Sequence, residues 1–209
     1  PELLALPPVS DAVALTFDDG FGTFATEAAP LLRGLPVTIF VVTDHVGRTN
    51  AWRGQRSIEI PTLPLLDWPA LGALMEQGVT IGVHTRTHPD LTQITLHDLA
   101  QEVAGAVDRV RAELGVVPES FAYPYGAVND ATAVVVRETF RYACTTEFRT
   151  LNQSIDAARL PRLDTYYFQQ PEQLESWGRR SFQAYLACRR MLQRGRRLVT
   201  AIAPAEART

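Results

Sequence analysis

The chain has 209 residues, 46% hydrophobic and 21% charged, which marks a globular protein, and at ~150 residues per domain its length points to one domain with a proper core. All 20 basic side chains are Arg, against 23 acidic ones for a net charge of −3; residues 1–170 carry 12 Arg and 20 acids (net −8), and residues 171–209 carry 8 Arg and 3 acids (net +5). An acidic body excludes a general nucleic-acid binder, which needs a basic face across the fold.

In chain order, Val13–Phe17 reads as a short buried strand ending in Asp18-Asp19-Gly20, and Thr26–Arg33 as a helix closed by Gly34. The β-branched run Pro36–Thr43 is a second strand. Residues 44–64 are loop-like. Asp67 caps a helix over Trp68–Gln77 that stops at Gly78, and Val79–Val83 is a strand running into His84. Thr95 and Asp98 resemble a capping box for a long helix to about Leu114, stopped by Gly115. Phe121–Tyr123 is a strand, Ala127–Thr139 a helix, and Tyr142–Thr146 and Arg159–Leu163 the last strands. A helical stretch from Pro171 to about Ala201 ends the chain. Alternating strands and helices predict a parallel sheet covered by helices, open or closed into a barrel. The expectation is a single domain over residues 1–209, with a body of about residues 10–170 and a basic helical tail over 171–209.

No apolar run reaches the ~18 residues that a membrane-spanning helix needs. Residues 1–11 show no basic start followed by a long apolar stretch, so no secretory leader is read, although the chain starts at Pro1 and not at Met. The expectation is a cytoplasmic or membrane-associated protein rather than a secreted one. Cys144 and Cys188 form no spacing motif and are expected as two buried thiols.

In parallel α/β folds the functional side chains gather at the C-terminal ends of strands, and three marked groups fall there. Asp18-Asp19 follows the first strand. Two adjacent carboxylates repel, and a metal ion resolves the cost by taking one as a ligand and leaving the other as a base. His84-Thr85-Arg86-Thr87-His88 follows the strand Val79–Val83. Two His four residues apart on a helical turn have the spacing of paired imidazole ligands. With Asp19 they make a two-His, one-carboxylate set that suits Zn²⁺, Co²⁺, Ni²⁺ or Fe²⁺. The third group is Phe121-Ala122-Tyr123-Pro124-Tyr125-Gly126, in which Pro124 and Gly126 fix a turn and the Tyr125 N–H can face a developing oxyanion.

These three groups resemble the first three motifs of the polysaccharide deacetylases, carbohydrate esterase family four. The resemblance runs from about Ala12 to Leu163 and includes Val-Val-Thr-Asp-His-Val-Gly at residues 41–47 and Leu160-Pro161-Arg162-Leu163-Asp164. It implies a distorted (β/α) barrel of about seven parallel strands with a C-terminal helical extension. It also implies metal-dependent removal of N- or O-acetyl groups from amino sugars in a polysaccharide or glycoconjugate, with Zn²⁺ the expected ion. By resemblance Asp18 is the general base, Asp19, His84 and His88 are the ligands, and the Tyr125 N–H is the oxyanion donor. Family members carry an Arg in the third motif, where Ala122 and Tyr123 stand here, so Arg162 is the candidate replacement, oriented by Asp164. They also use a late Leu-x-His acid. This chain has no His after His97, so that acid is missing, replaced, supplied by a segment absent from this sequence, or substituted by metal-bound water; the candidates within the chain are His45, after the second strand, and His97, read as a solvent-facing helix residue.

The loop 44–64 is long enough to be functional. In it Asp44, Asn50, Trp52 and Arg53 are candidate sugar contacts, Trp52 by stacking on a pyranose face; Tyr123, Pro124 and Asp164 complete the substrate-binding candidates. In the tail, Arg179, Arg180, Arg189, Arg190, Arg194, Arg196 and Arg197 alternate with Trp177, Phe182, Tyr185, Leu186, Met191, Leu192 and Leu198. Such a helix either packs on an acidic body or docks on an anionic membrane or a protein partner. Two other activities remain open: hydrolysis of a cyclic amide or ureide on the same metal site, and a catalytically weak glycan-binding module.

Overall fold

In the computed structural model, residues 12–53, 61–151 and 155–202 are described, and for residues 174 and 193–202 the backbone alone. The N-terminal residues 1–11, loop residues 54–60 and the side chains of Arg194, Arg196, Arg197 and Leu198, about which expectations were stated, lie outside this description.

Five parallel strands form one sheet: β1 (Leu15–Phe17), β2 (Val37–Val41), β3 (Thr80–Val83), β4 (Ser120–Ala122) and β5 (Tyr142–Cys144). Their spatial order is their chain order, β1-β2-β3-β4-β5. Strands laid side by side in sequence, each joined to the next by a right-handed crossover, put the connecting helices on one face, as in a barrel wall. The connecting helices are α1 (Trp68–Glu76), α2 (Leu96–Leu114) and α3 (Asp130–Thr139).

The two-residue period of the strands sorts the core into two faces. Val37, Ile39, Val41, Ile81, Val83, Phe121 and Ala143 join Leu71, Leu74, Leu99, Val103, Val107 and Val136 in the large cluster under the helices. Phe40, Ala122, Cys144 and Leu160 pack together on the other face. Gly82 lies beside Phe40 there: a Cβ on it would stand 2.5 Å from the Phe40 ring and 2.8 Å from Ser120 Oγ.

The helix ends follow their local signals. Asp67 accepts from Ala70 N–H, Thr95 from Asp98 N–H and Asn129 from Thr132 N–H, while Gly115 closes α2 at φ 71°. The departures from expectation also have local causes. The helix expected over Thr26–Arg33 is a single π turn, Phe24–Ala28, followed by turns. Pro30 has no N–H with which to extend it. The strand expected over Arg159–Leu163 is reduced to one bridge, Cys144 to Leu160. The next available N–H, that of Arg162, goes instead to the Glu147 carbonyl at 3.0 Å. Five strands therefore stand, among the described residues, where about seven were expected. The C-terminal helix is broken into α4 (Pro171–Glu175) and α5 (Arg180–Ile202). Cys144 is buried as expected, but Cys188 is exposed, and no disulfide joins them.

The chain divides into two compact units, one built from residues up to Thr145 plus the stretch ending at Leu160, the other from Thr146–Leu151 and from Pro161 onward. The second unit has its own core, with Phe148, Phe168, Phe182 and Leu186 buried and Tyr167, Trp177 and Tyr185 around them. Phe182 and Leu186 of α5 are thus buried within their own unit, with the Arg189 guanidinium 4.8 Å from the Tyr167 ring, while Met191 and Leu192 of the same helix are exposed. Among the described residues no helix is long and apolar enough to cross a membrane.

Candidate metal centre

Asp18 and Asp19 follow β1, Thr43–His45 follow β2, His84 follows β3, and Tyr123–Gly126 follow β4. All stand at the C-terminal ends of neighbouring parallel strands. The loop after β1 is fixed by Leu66 N–H donating to the Gly20 carbonyl at 2.8 Å and Gly22 N–H to that of Pro64 at 2.9 Å. His84 N–H donates to the Val41 carbonyl at 2.9 Å, so the first imidazole still belongs to the sheet.

Asp19 Oδ1 lies 3.5 Å from His84 Nε2 and 3.4 Å from His88 Nε2. The three ligating atoms lie within 4.8 Å of one another, with both His buried. His84 Nδ1 is 2.7 Å from the Ala122 carbonyl oxygen, which can only accept. Nδ1 is therefore a protonated nitrogen, and Nε2 is the ring nitrogen that faces Asp19. His88 Nδ1 is 3.2 Å from the Tyr125 hydroxyl, which leaves its Nε2 on the same side. Burial pushes the His88 imidazole down to about 2, aided by His84 and opposed by Asp18, so it is neutral at ordinary pH, the form that binds metals.

The donor set fits a divalent cation. Ligands held about 2.0–2.2 Å from a tetrahedral Zn²⁺ stand roughly 3.3–3.5 Å apart. The two Asp19 distances, 3.5 and 3.4 Å, agree with that spacing and exceed an ordinary hydrogen bond, while the two imidazoles stand farther apart, within 4.8 Å, and would close on a bound ion. Each imidazole also has its outer nitrogen engaged, as ligating His residues require for orientation.

Backbone strain gathers here. Among the described residues the non-glycine residues with left-handed φ are Asp19 (71°), Thr85 (69°), His88 (63°) and Tyr125 (59°). Two are ligand candidates, one lies between the two imidazoles and one touches His88. Such residues cost about 1–3 kcal/mol each and persist where surrounding structure imposes them.

The other sequence candidates divide. Asp18 is half-buried and close enough to His88 to raise its proton affinity. Tyr125 reaches the site through its hydroxyl. His45 is half-buried, and its Nδ1 lies 3.0 Å from the Thr49 carbonyl oxygen, so that nitrogen donates. Its ring meets Trp52 edge-on at 5.6 Å, and Trp52 in turn lies 4.3 Å from the His88 ring. His97 is exposed on α2, as expected.

Among the residues expected as sugar contacts, Trp52 is 8% exposed, with its face against His88. Asn50 is fully buried: it accepts from Leu63 N–H at 2.7 Å and donates to the Pro61 carbonyl at 3.0 Å, stapling two limbs of the loop. Tyr123 is also fully buried, with its hydroxyl donating to the Ala158 carbonyl at 2.9 Å, and Pro124 is buried beside it. Asp44 is engaged by Arg86 at 2.8 Å, a bond that holds the Arg86 proton more firmly. Asp164 caps the turn Thr165–Tyr167 by accepting from Tyr166 N–H. Arg162 and Asp164 belong to the second unit.

Sequence reasoning missed Glu102. Its carboxylate, on α2, accepts from Arg86 and Thr87 N–H at 2.9 Å each and from the Thr87 hydroxyl at 2.6 Å. Nothing in its local sequence sets it apart from a solvated helix residue.

Chitin deacetylase 1 of Cryptococcus neoformans is 25% identical over 133 residues, 63% of this chain and 24% of that protein. The chain spans 24% and 46% of the length of the two curated relatives it matches. Among solved structures, IcaB from Ammonifex degensii superposes with a TM-score of 0.66 at 25% identity, covering 87% of this chain and 74% of that one. The deacetylase PplD from Streptococcus pyogenes, solved with acetate, superposes at 0.65 with 24% identity, over 76% of this chain and 66% of that one, which speaks for the fold. The family model described as polysaccharide deacetylase matches residues 6–142, more than half of the sequence, and the chain belongs to that family.

Proposed function

We propose that the chain is a metal-dependent deacetylase that hydrolyses N-acetyl groups, or O-acetyl groups, on amino sugars of a polysaccharide or glycoconjugate. The observation that carries this reading is the convergence of Asp19, His84 and His88, with both outer imidazole nitrogens engaged and His88 neutral. Family membership and the names of the relatives support the substrate class.

Asp19, His84 and His88 would hold the ion, with Zn²⁺ the expected one. When bound, a divalent ion supplies Lewis acidity, making water a stronger nucleophile and polarising an acyl carbonyl. The chain's own groups do the rest. Asp18, the second carboxylate of the pair, takes the proton of the attacking water. The Tyr125 N–H stabilises the negative oxygen of the tetrahedral intermediate. His45, across Trp52 from His88, donates the proton that the leaving nitrogen needs.

Acetate release tests this reading. The protein is incubated with N-acetylated and with O-acetylated amino-sugar oligomers, with and without a chelator. Release that the chelator abolishes supports it. Turnover of a cyclic amide without acetate release would instead mark the ureide-type hydrolase, and glycan binding with no turnover a binding module.

A further inference from the structure

Thr85 and His88, two of the left-handed residues, fall in the five-residue segment that carries both imidazoles. That segment would relax unless its surroundings held it. Part of the hold is internal, since His88 N–H donates to Thr85 Oγ1 at 2.9 Å. Part comes from β2, whose end donates Thr43 N–H to the Thr85 carbonyl at 3.1 Å and Asp44 N–H to that of Arg86 at 3.0 Å.

The rest comes from one face of α2. The two consecutive N–H groups of Arg86 and Thr87 converge on a single Glu102 oxygen, and the Thr87 hydroxyl meets the other. Hydrogen bonds onto an ionised carboxylate are roughly twice as strong as neutral ones. Three residues further along α2, on the same face, stands Gly105. The Arg86 side chain crosses it so closely that a Cβ on Gly105 would lie 2.7 Å from Arg86 Cδ. Glycine costs a helix interior about 1 kcal/mol relative to Ala, and the passage of Arg86 on its way to Asp44 accounts for one here. This face of α2 is therefore shaped to residues 86 and 87: a carboxylate for the backbone and a gap for the side chain.

We propose that Glu102 is a positioning residue for the metal centre. By fixing residues 86 and 87 from outside the site, it sets the separation and aim of His84 and His88 before an ion arrives. This rests on the reading of Asp19, His84 and His88 as metal ligands. The carboxylate takes both N–H groups on one oxygen and the Thr87 hydroxyl on the other. A Gln amide keeps the shape but loses the charge that strengthens these bonds, and forces the Thr87 hydroxyl to turn from donor to acceptor.

The test is metal affinity, measured on the stripped full chain by zinc titration against a chromophoric chelator, together with the visible absorption of the cobalt form, which reports ligand geometry. Glu102→Gln should bind zinc more weakly, by up to about the 10–100-fold that loss of a direct partner of a metal-ligating His costs, and should shift the cobalt bands. Thr87→Ala, which removes only the hydroxyl contact, and Gly105→Ala, which displaces the Arg86 stem, should move both readouts in the same direction by less. A merely structural role would lower the unfolding free energy of the stripped protein and leave both readouts alone. Unchanged zinc affinity and cobalt bands in folded Glu102→Gln overturn the proposal, and where that variant does not fold, the same result in Thr87→Ala and Gly105→Ala does so. A wild type that takes up no divalent ion overturns the site assignment and this inference together; a wild type that binds, with variants that bind equally well, overturns the inference alone.

Discussion

The indole of Trp52 lies against the imidazole of His88, ring centres 4.3 Å apart and planes 31° from parallel. An aromatic residue expected to meet sugar backs a metal-ligand candidate. Its apolar face keeps water from that side of the imidazole and holds the ring in place.

Trp52 should therefore report occupancy. Cobalt added to the stripped protein should quench tryptophan fluorescence in the wild type, and most of the quenching should vanish in Trp52→Phe, in which Trp68 and Trp177 remain. Equal quenching in both proteins would place the ion elsewhere.

Gly82 should not tolerate a side chain. Its neighbours on the packed face of the sheet leave no room for a Cβ beside the Phe40 ring. Overpacking of this kind costs about 1–3 kcal/mol. Gly82→Ala should lose that much unfolding free energy in urea, and Gly82→Ala with Phe40→Leu should recover part of it. A fully additive double variant would show that the two positions do not compete for space.

Tyr123 should give the protein an alkaline limit. Burial holds its phenol protonated well above the usual range. The unfolded chain ionises near the ordinary value of about 10 while the folded one does not. The stabilising difference is complete below that pH and is lost as pH rises through it toward the raised folded value. Unfolding free energy should fall between pH 9.5 and 11 (about the ordinary tyrosine range) in the wild type. In Tyr123→Phe the fall should flatten, with a uniform loss of about 1 kcal/mol for the bond to Ala158. An unchanged slope would assign the alkaline limit to other groups.

His45 should act on the chemical step rather than on metal binding. His45→Ala should lower kcat for acetate release by about 10²–10⁴-fold, the usual worth of a positioned proton donor, and leave zinc affinity unchanged. An unchanged kcat would remove His45 from the reaction.

The sheet and helices were legible because they rest on local signals: the apolar runs of β2 and β3, the caps at Asp67 and Thr95, and the stop at Gly115. The site was legible because Asp18-Asp19 and His84-x-x-x-His88 each sit where a strand ends. What the sequence did not reveal depends on contacts between distant residues. Trp52, Asn50 and Tyr123 have the chemistry of sugar contacts, but their burial is a tertiary property. Glu102 lies 14 positions from His88 and one helix away, so its three bonds leave no spacing to read. Arg159–Leu163 has the composition of a strand, but the turn of the Arg162 N–H toward Glu147 ends the ladder after one bridge.

The central claim is that an ion held by Asp19, His84 and His88 makes this chain a deacetylase. It is tested most directly by following acetate release from an N-acetylated amino-sugar oligomer while zinc is added stepwise to stripped protein. Release should start at background, rise with each addition and level off at a single equivalent, and His84→Ala should stay at background throughout. Full release from the stripped protein, or an equal rise in His84→Ala, would contradict the account.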